Sequence, residues 1–210
     1  MQLLGRLEIG SAEKIAEVLA GEHTGRLATV DASGHPQVIP MNFALLDGAI
    51  YMHSHTRGEK LDNIARDARA GFEVDREYEY LPSYYADEHD ASLADTLYAS
   101  VVIKGTASVV EGEAEKCRAL NALMSKYQPE GRYDPVREGD AVLGEVAVIK
   151  VVPSSMRGKY KIGQHLRAGE RLELARKILE RRGEAALSTL RVMGFEVRGG
   201  EPHMVEEPRW

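Results

Sequence analysis

The stretch PQVIPMNFALLDGAIYMHS, residues 36–54, holds two apolar runs on either side of an Asp47-Gly48 pair. An Asp-Gly pair between such runs is a strong hairpin signal, because both central residues of the tight turn take positive φ. The reading is a strand over 36–46, a turn, and a second strand over 49–54. Upstream, RLATV (26–30) and the turn residues Asp31-Ala32-Ser33-Gly34 supply a strand before them. Three successive antiparallel strands within about thirty residues form a meander, which closes most readily into a barrel or a sandwich.

The rest of the chain fits around that hairpin. Ser11 followed by Ile15, Val18 and Leu19 at helical spacing predicts a first helix, with Gly21 as its left-handed stop. KLDNIARDA (60–68) predicts a short helix burying Leu61, Ile64, Ala65 and Ala68, and GFEV (71–74) a fourth strand. Residues 78–95 mix tyrosines with acids and lack a period, so they read as a long loop with one helical turn. YASVVIKGTASVV (98–110) is a long strand in which Gly105 marks a bulge or a close backbone approach. A helix over 113–127 and a last barrel strand over 144–152 follow. Beyond Pro153 come nine basic residues against three acids between Arg157 and Arg182, a helix through RLELARKILERRG, a second over 184–193, a brief strand at 195–198 and an extended tail. The class is therefore mainly β with helices (α+β): residues 1–153 as a barrel with an N-terminal helix, and 154–210 as a helical extension packed on the barrel or on a partner.

Composition limits the function. A net charge of −6 argues against general affinity for nucleic acid or anionic membrane. No apolar run approaches the roughly 20 residues of a membrane span. MQLLGRLEIG is too short and too soon charged for a secretory signal, and the single cysteine, Cys117, forms no internal disulfide. The expected compartment is the cytoplasm.

IYMHSHTRGEK (50–60) joins the third strand to the second helix. The helix start exposes unpaired N–H groups and a positive dipole end, which suits an anion. There Gly58 admits close approach, Ser54 and Thr56 offer hydroxyls, and Arg57 and Lys60 offer charge. A plain helix cap with solvated cations is the alternative. His53 and His55, two apart on a strand, share a face, so a metal site completed by other ligands is a third reading, with Asp87-Glu88-His89-Asp90 as the nearby acidic cluster.

Three segments then carry a family resemblance: TGRLATVDASGHPQVIPMNF (24–43), DGAIYMHSHTRGEKLDNIARDARAGFEVD (47–75) and YASVVIKGTASVVEGEAEKCRALNALMSKY (98–127). In this order they resemble the flavin-binding split-barrel superfamily, and within it the pyridoxamine 5′-phosphate oxidase-like proteins grouped with nitroimidazole-resistance reductases. The match covers about residues 20–152. It implies an antiparallel split β-barrel, a homodimer, and FMN in a groove between the subunits. It implies that Val38, Ile39, Pro40, Met41 and Asn42 run along the flavin ring, and that Met52, His53, Ser54 and the loop to Lys60 hold the ribityl and phosphate groups. Lys60 matches a phosphate-binding lysine. Glu59 stands where the oxidases carry an arginine, and Arg57 is the nearest replacement charge. Ser100, near Tyr98, falls where the oxidases place a polar side chain against the flavin. His53 matches a histidine near the flavin of the nitroimidazole-resistance group, and is the candidate catalytic residue.

The implied function is an FMN-dependent oxidoreductase, passing electrons from a reduced nicotinamide to a small acceptor such as a quinone or nitro compound. The late tryptophan and arginine of the oxidases have no counterpart, which argues against pyridoxamine phosphate oxidation itself. RGKYKIGQHL (157–166) resembles a pattern of regulator-like split barrels, in which Lys159 and Gln164 would reach the dimer groove; a surface hairpin is the alternative. A non-enzymatic flavin-binding or regulatory module, motivated by the basic stretch, stays open. So does the same fold holding a deazaflavin coenzyme, or haem on His53, His55 or His165.

Overall fold

A computed structural model describes residues 5–208. Residues 1–4 of the stretch weighed as a secretory signal, and 209–210 of the tail, lie outside the described residues. In chain order the elements are β1 (Glu8–Ile9), α1 (Ala12–Gly21), β2 (Gly25–Val30), β3 (Pro36–Met41), β4 (Phe43–Leu46), β5 (Ala49–His55), α2 (Glu59–Arg66), β6 (Arg69–Leu81) and β7 (Asp95–Val109). There follow α3 (Glu113–Tyr127), α4 (Val142–Glu145), β8 (Val146–Lys161), α5 (Ala168–Arg182), α6 (Leu187–Val192), β9 (Phe195–Arg198) and β10 (Glu201–Met204). They form two compact units: residues 12–74 with 101–157, and residues 5–11 with 75–100 and 158–208. Strands β6, β7 and β8 each contribute residues to both, so the boundary anticipated at 153/154 falls inside β8.

The first unit is the split barrel, with strand order β3-β2-β6-β7-β8-β5-β4. Its two outermost strands, β3 and β4, are consecutive in sequence and joined only by Asn42. This corrects the meander. Residues 36–46 are not one strand: Met41 pairs with Gly25 of β2, whereas Phe43 pairs with Met52 of β5. The chain steps from one sheet edge to the other at Asn42, and a side chain takes over the hydrogen bonding there. The Tyr127 hydroxyl at the end of α3 accepts from the Phe43 N–H at 2.8 Å and donates to the His23 carbonyl at 2.6 Å.

The Asp47-Gly48 turn is as expected, with φ of 51° and 77°. At Gly105 a Cβ would stand 2.3 Å from the Val152 carbonyl oxygen, so the glycine marks a close backbone approach. Helix α1 buries Ile15, Val18 and Leu19 as read, but Gly21 is its last helical residue and not a left-handed stop. Helix α3 packs Cys117, Ala119, Leu120 and Leu123 against Ala44, Ala49, Tyr51 and Val148. Each large side chain so buried contributes roughly 1.5–3 kcal/mol. Beside this cluster Lys126 donates to the Leu19 carbonyl at 2.9 Å and lies 3.5 Å from the Phe43 ring centroid, where burial lowers its ammonium to about 8.

In the second unit β1 pairs with Gly158 and Lys159 of β8. Helices α5 and α6 and the β9–β10 hairpin gather Ala175, Ile178, Leu190, Met193 and Phe195 with Leu81 and Leu97. Here three expectations are corrected. The strand expected over 71–74 runs on to Leu81, so the anticipated loop begins only at Pro82; it ends at Ala94 and holds two 3-10 turns, Ser83–Tyr85 and Ala91–Leu93. The strand expected to end at 152 continues through Pro153 to Lys161. The second C-terminal helix is shorter than read, with a 3-10 turn over Gly183–Ala186 before it. Strand β9 stands where it was expected, and the tail forms β10.

Candidate functional site

The site grows from the free edge of β3. Its residues alternate between exposed and half-buried, with Val38 57% exposed. Pro36 and Pro40 lack an N–H, so they fill ladder positions that face away from β2. Val38 has the same parity and directs its N–H and carbonyl to the free edge. Ile39 and Met41 are half-buried on the opposite face, and Pro40 and Asn42 are exposed. One register step beyond the Phe43–Met52 pair brings Asn42 opposite His53. The ring segment and the strand-to-helix joint therefore meet at one place.

At that joint β5 leaves the core. Met52 is fully buried with strands paired on both sides, so its side chain lies beneath the joint. His53 is exposed and Ser54 half-buried, the Ser54 hydroxyl donating to the His55 carbonyl at 2.9 Å. The Arg57 N–H donates to His55 Nδ1 at 3.2 Å. Gly58 precedes α2 with φ 144° and ψ 157°, a conformation confined to glycine, and no side chain caps the helix. The place of a Cβ on Gly58 is open except for the Lys60 ammonium 4.0 Å away. An uncapped helix start, a glycine cradle and a cation folded back over it fit a phosphate group. Glu59 and Arg57 are exposed beside it.

Sequence reasoning missed what holds α2 in place. Its buried residues are Asn63 and Ile64; Lys60, Leu61 and Asp67 are half-buried, whereas Ala65, expected inside, is exposed. The Asn63 amide donates to Thr29 Oγ1 at 3.1 Å and to Gln37 Oε1 at 3.3 Å. At the far end of α2, side-chain hydrogen bonds from Arg69 hold the Asp67 carboxyl at about 2. A signal did exist in LDNIARD, where a helix-interior asparagine sits three residues after the lysine.

The other nominated residues lie in the second unit. Ser100 is 8% exposed on β7, and Tyr98 stands 5.1 Å beneath the Lys159 ammonium. Gln164 accepts from the Ile162 N–H at 2.9 Å and donates to the Tyr160 carbonyl at 2.5 Å, so it locks its own turn. His165 is half-buried, and burial first, then Arg6 and Lys161, lower its pKa. Of the nine basic residues from Arg157 to Arg182, at least seven stand within ion-pair distance of a carboxylate, among them Arg171 with Glu207 and Arg181 and Arg182 with the buried Glu79. Among the described residues no group of three or more His, Cys, Asp or Glu side chains is placed to hold a metal ion. No helix among them is long and apolar enough to cross a membrane.

Comparison with known proteins agrees with this architecture. No curated protein matches the sequence. Solved structures of similar fold include a candidate 5-nitroimidazole antibiotic resistance protein of Bacteroides thetaiotaomicron, with TM-score 0.61, 23% identity, and 73% of this chain and 86% of that one covered. The flavocytochrome Anf3 of Azotobacter vinelandii matches with TM-score 0.65 and 17% identity over 77% of this chain and 72% of that one. An FAD and haem binding protein of Mycobacterium smegmatis matches with TM-score 0.62 and 20% identity over 73% of each chain. At these identities the likeness shows the fold. A family model described as pyridoxamine 5′-phosphate oxidase matches residues 11–160, most of the chain and all of the barrel strands up to Tyr160. With its split barrel, the chain belongs to the pyridoxamine 5′-phosphate oxidase family.

Proposed function

We propose that this chain is an FMN-dependent oxidoreductase that passes electrons from a reduced nicotinamide to a small acceptor, a quinone or a nitro compound. The observation that carries the reading is the uncapped start of α2, where Gly58 leaves an open cradle beside the Lys60 ammonium. Lys60, with Arg57 beside it, would neutralise the phosphate, and the Val38 N–H would bond the edge of the ring. The flavin supplies the redox chemistry, so the protein has only to bind, orient and shield it. His53, exposed opposite Asn42, would stand on the acceptor side as the proton donor. A second copy of the chain would cover the exposed edge of β3 and complete the groove, which makes the homodimer part of the proposal. The names of two relatives of similar fold, a flavocytochrome and an FAD and haem binding protein, agree with a redox cofactor in such a barrel.

The test is the absorption spectrum of the purified protein before and after titration with FMN, FAD and haemin, followed by turnover of reduced nicotinamide with quinone and nitro acceptors. Flavin bands with FMN bound more tightly than FAD, and a dimer in sedimentation, are the expected results. A Soret band without flavin affinity would replace the reading by haem binding. No affinity for any flavin would end it.

A further inference from the structure

Helix α2 carries two buried or half-buried polar residues on one face, Lys60 and, three residues on, Asn63. Three residues are about 4.5 Å along a helix axis, so whatever fixes Asn63 also fixes the backbone from which the Lys60 side chain projects. Asn63 is 1% exposed, and each hydrogen-bonding group of its amide is engaged. Its two N–H bonds go to Thr29 of β2 and Gln37 of β3, at 3.1 and 3.3 Å. Its oxygen accepts from Arg66 at 3.0 Å, and the same guanidinium nitrogen also donates to the Val30 carbonyl. Gln37 adjoins Val38, whose N–H faces the free edge. One side chain therefore spans the helix that bears the phosphate cation and the strand that bears the ring donor.

An apolar residue would fill this position at a smaller desolvation cost, since burying an amide is favourable only when every partner is present. Ile64 already supplies the helix with a hydrophobic grip. What the amide adds is a single setting: a fully satisfied buried network selects one register of helix on sheet, where apolar contact alone tolerates sliding. We propose that Asn63 is a positioning residue that fixes the distance between the phosphate end and the ring end of the flavin groove. This assignment rests on the flavin reading above.

The experiment titrates FMN and riboflavin, which lacks the phosphate, into wild type, Asn63→Ala and Gln37→Leu, with melting temperatures recorded in parallel. In Asn63→Ala the affinity for FMN should fall about tenfold, as expected when one buried polar bridge is lost, while that for riboflavin falls less than about twofold. The preference for FMN over riboflavin thus shrinks. A purely structural role would lower the melting temperature and weaken both ligands alike, leaving the preference intact, and would overturn the assignment. Gln37→Leu leaves Asn63 bonded to Thr29 and removes only the link to β3, so it decides the matter if Asn63→Ala does not fold. It too should shrink the preference, and an unchanged ratio there would overturn the proposal. Wild-type protein that binds FMN no better than riboflavin would remove the phosphate end itself. Wild-type protein that binds neither would sink the flavin reading, and this assignment with it.

Discussion

Lys60 and Asn63 lie one helical turn apart, and the sequence displays only the first of them. A lysine after a glycine at a helix start has a chemistry that reads directly: charge beside open N–H groups. Asparagine in a helix reads as solvent-facing, so the spacing predicts an apolar stripe of Leu61, Ile64, Ala65 and Ala68, whereas the buried pair is Asn63 and Ile64 and both alanines are exposed. The partners that make it a buried residue are Thr29 and Gln37, far back in the chain, and no local pattern predicts them. The exposure of His53 and the complete burial of Met52, adjacent on one strand, likewise follow from β4, which pairs with β5 only as far as Met52 while β8 pairs on to His55. At this scale the prediction concerns Lys60→Ala. Loss of one charge-assisted hydrogen bond to phosphate should weaken FMN by about 1.5–3 kcal/mol in a calorimetric titration. Unchanged affinity would remove Lys60 from the site.

At the scale of elements, the hairpin turn at Asp47-Gly48 and the amphipathic α1 and α3 were legible because their determinants are local. The break at Asn42 was not. PQVIPMNFALL has the composition of one strand, and what divides it is Tyr127, 84 residues later, which takes the Phe43 N–H. Strand β6 reads as shorter than it is for a related reason. Its inward positions are Ala70, Phe72 and Val74, then Glu79 and Leu81, so the alternation changes phase and a carboxylate fills a core position. Glu79 tolerates this because Arg181 and Arg182 approach it at 3.7 and 3.9 Å. For the crossing, Tyr127→Phe leaves the Phe43 N–H without its acceptor. It should cost about 1–3 kcal/mol of stability in urea unfolding. A loss near zero would mean that the split is set by strand pairing alone.

For the whole molecule, composition indicated an acidic chain with a basic C-terminal stretch, but the destination of those charges was illegible because most of their partners lie outside the stretch. Paired charges also govern the response to pH. The Glu115 carboxyl lies below its ordinary range because Lys150, then Tyr51, hydrogen-bond its charged form, and the same contacts raise Lys150. The glutamate therefore stabilises the fold at neutral pH, and this contribution is lost as pH falls below the ordinary carboxylate value through the lowered one. The lysine's contribution persists at neutral pH and is lost only as pH rises through its raised value. Glu115→Gln should flatten the acid side of a stability profile measured by urea unfolding at stepped pH. A variant that keeps the wild-type acid slope would assign that loss to other carboxylates. The two prolines of β3 have a consequence for life in a crowded solution. An open sheet edge ordinarily recruits further strands and seeds aggregates, but this one meets any newcomer with two missing donors. Its accessibility to a ligand therefore does not carry the usual hazard. Pro40→Thr should restore a donor and produce thioflavin-positive, concentration-dependent aggregation on mild heating, and a variant as soluble as wild type would show that the edge is guarded by something else.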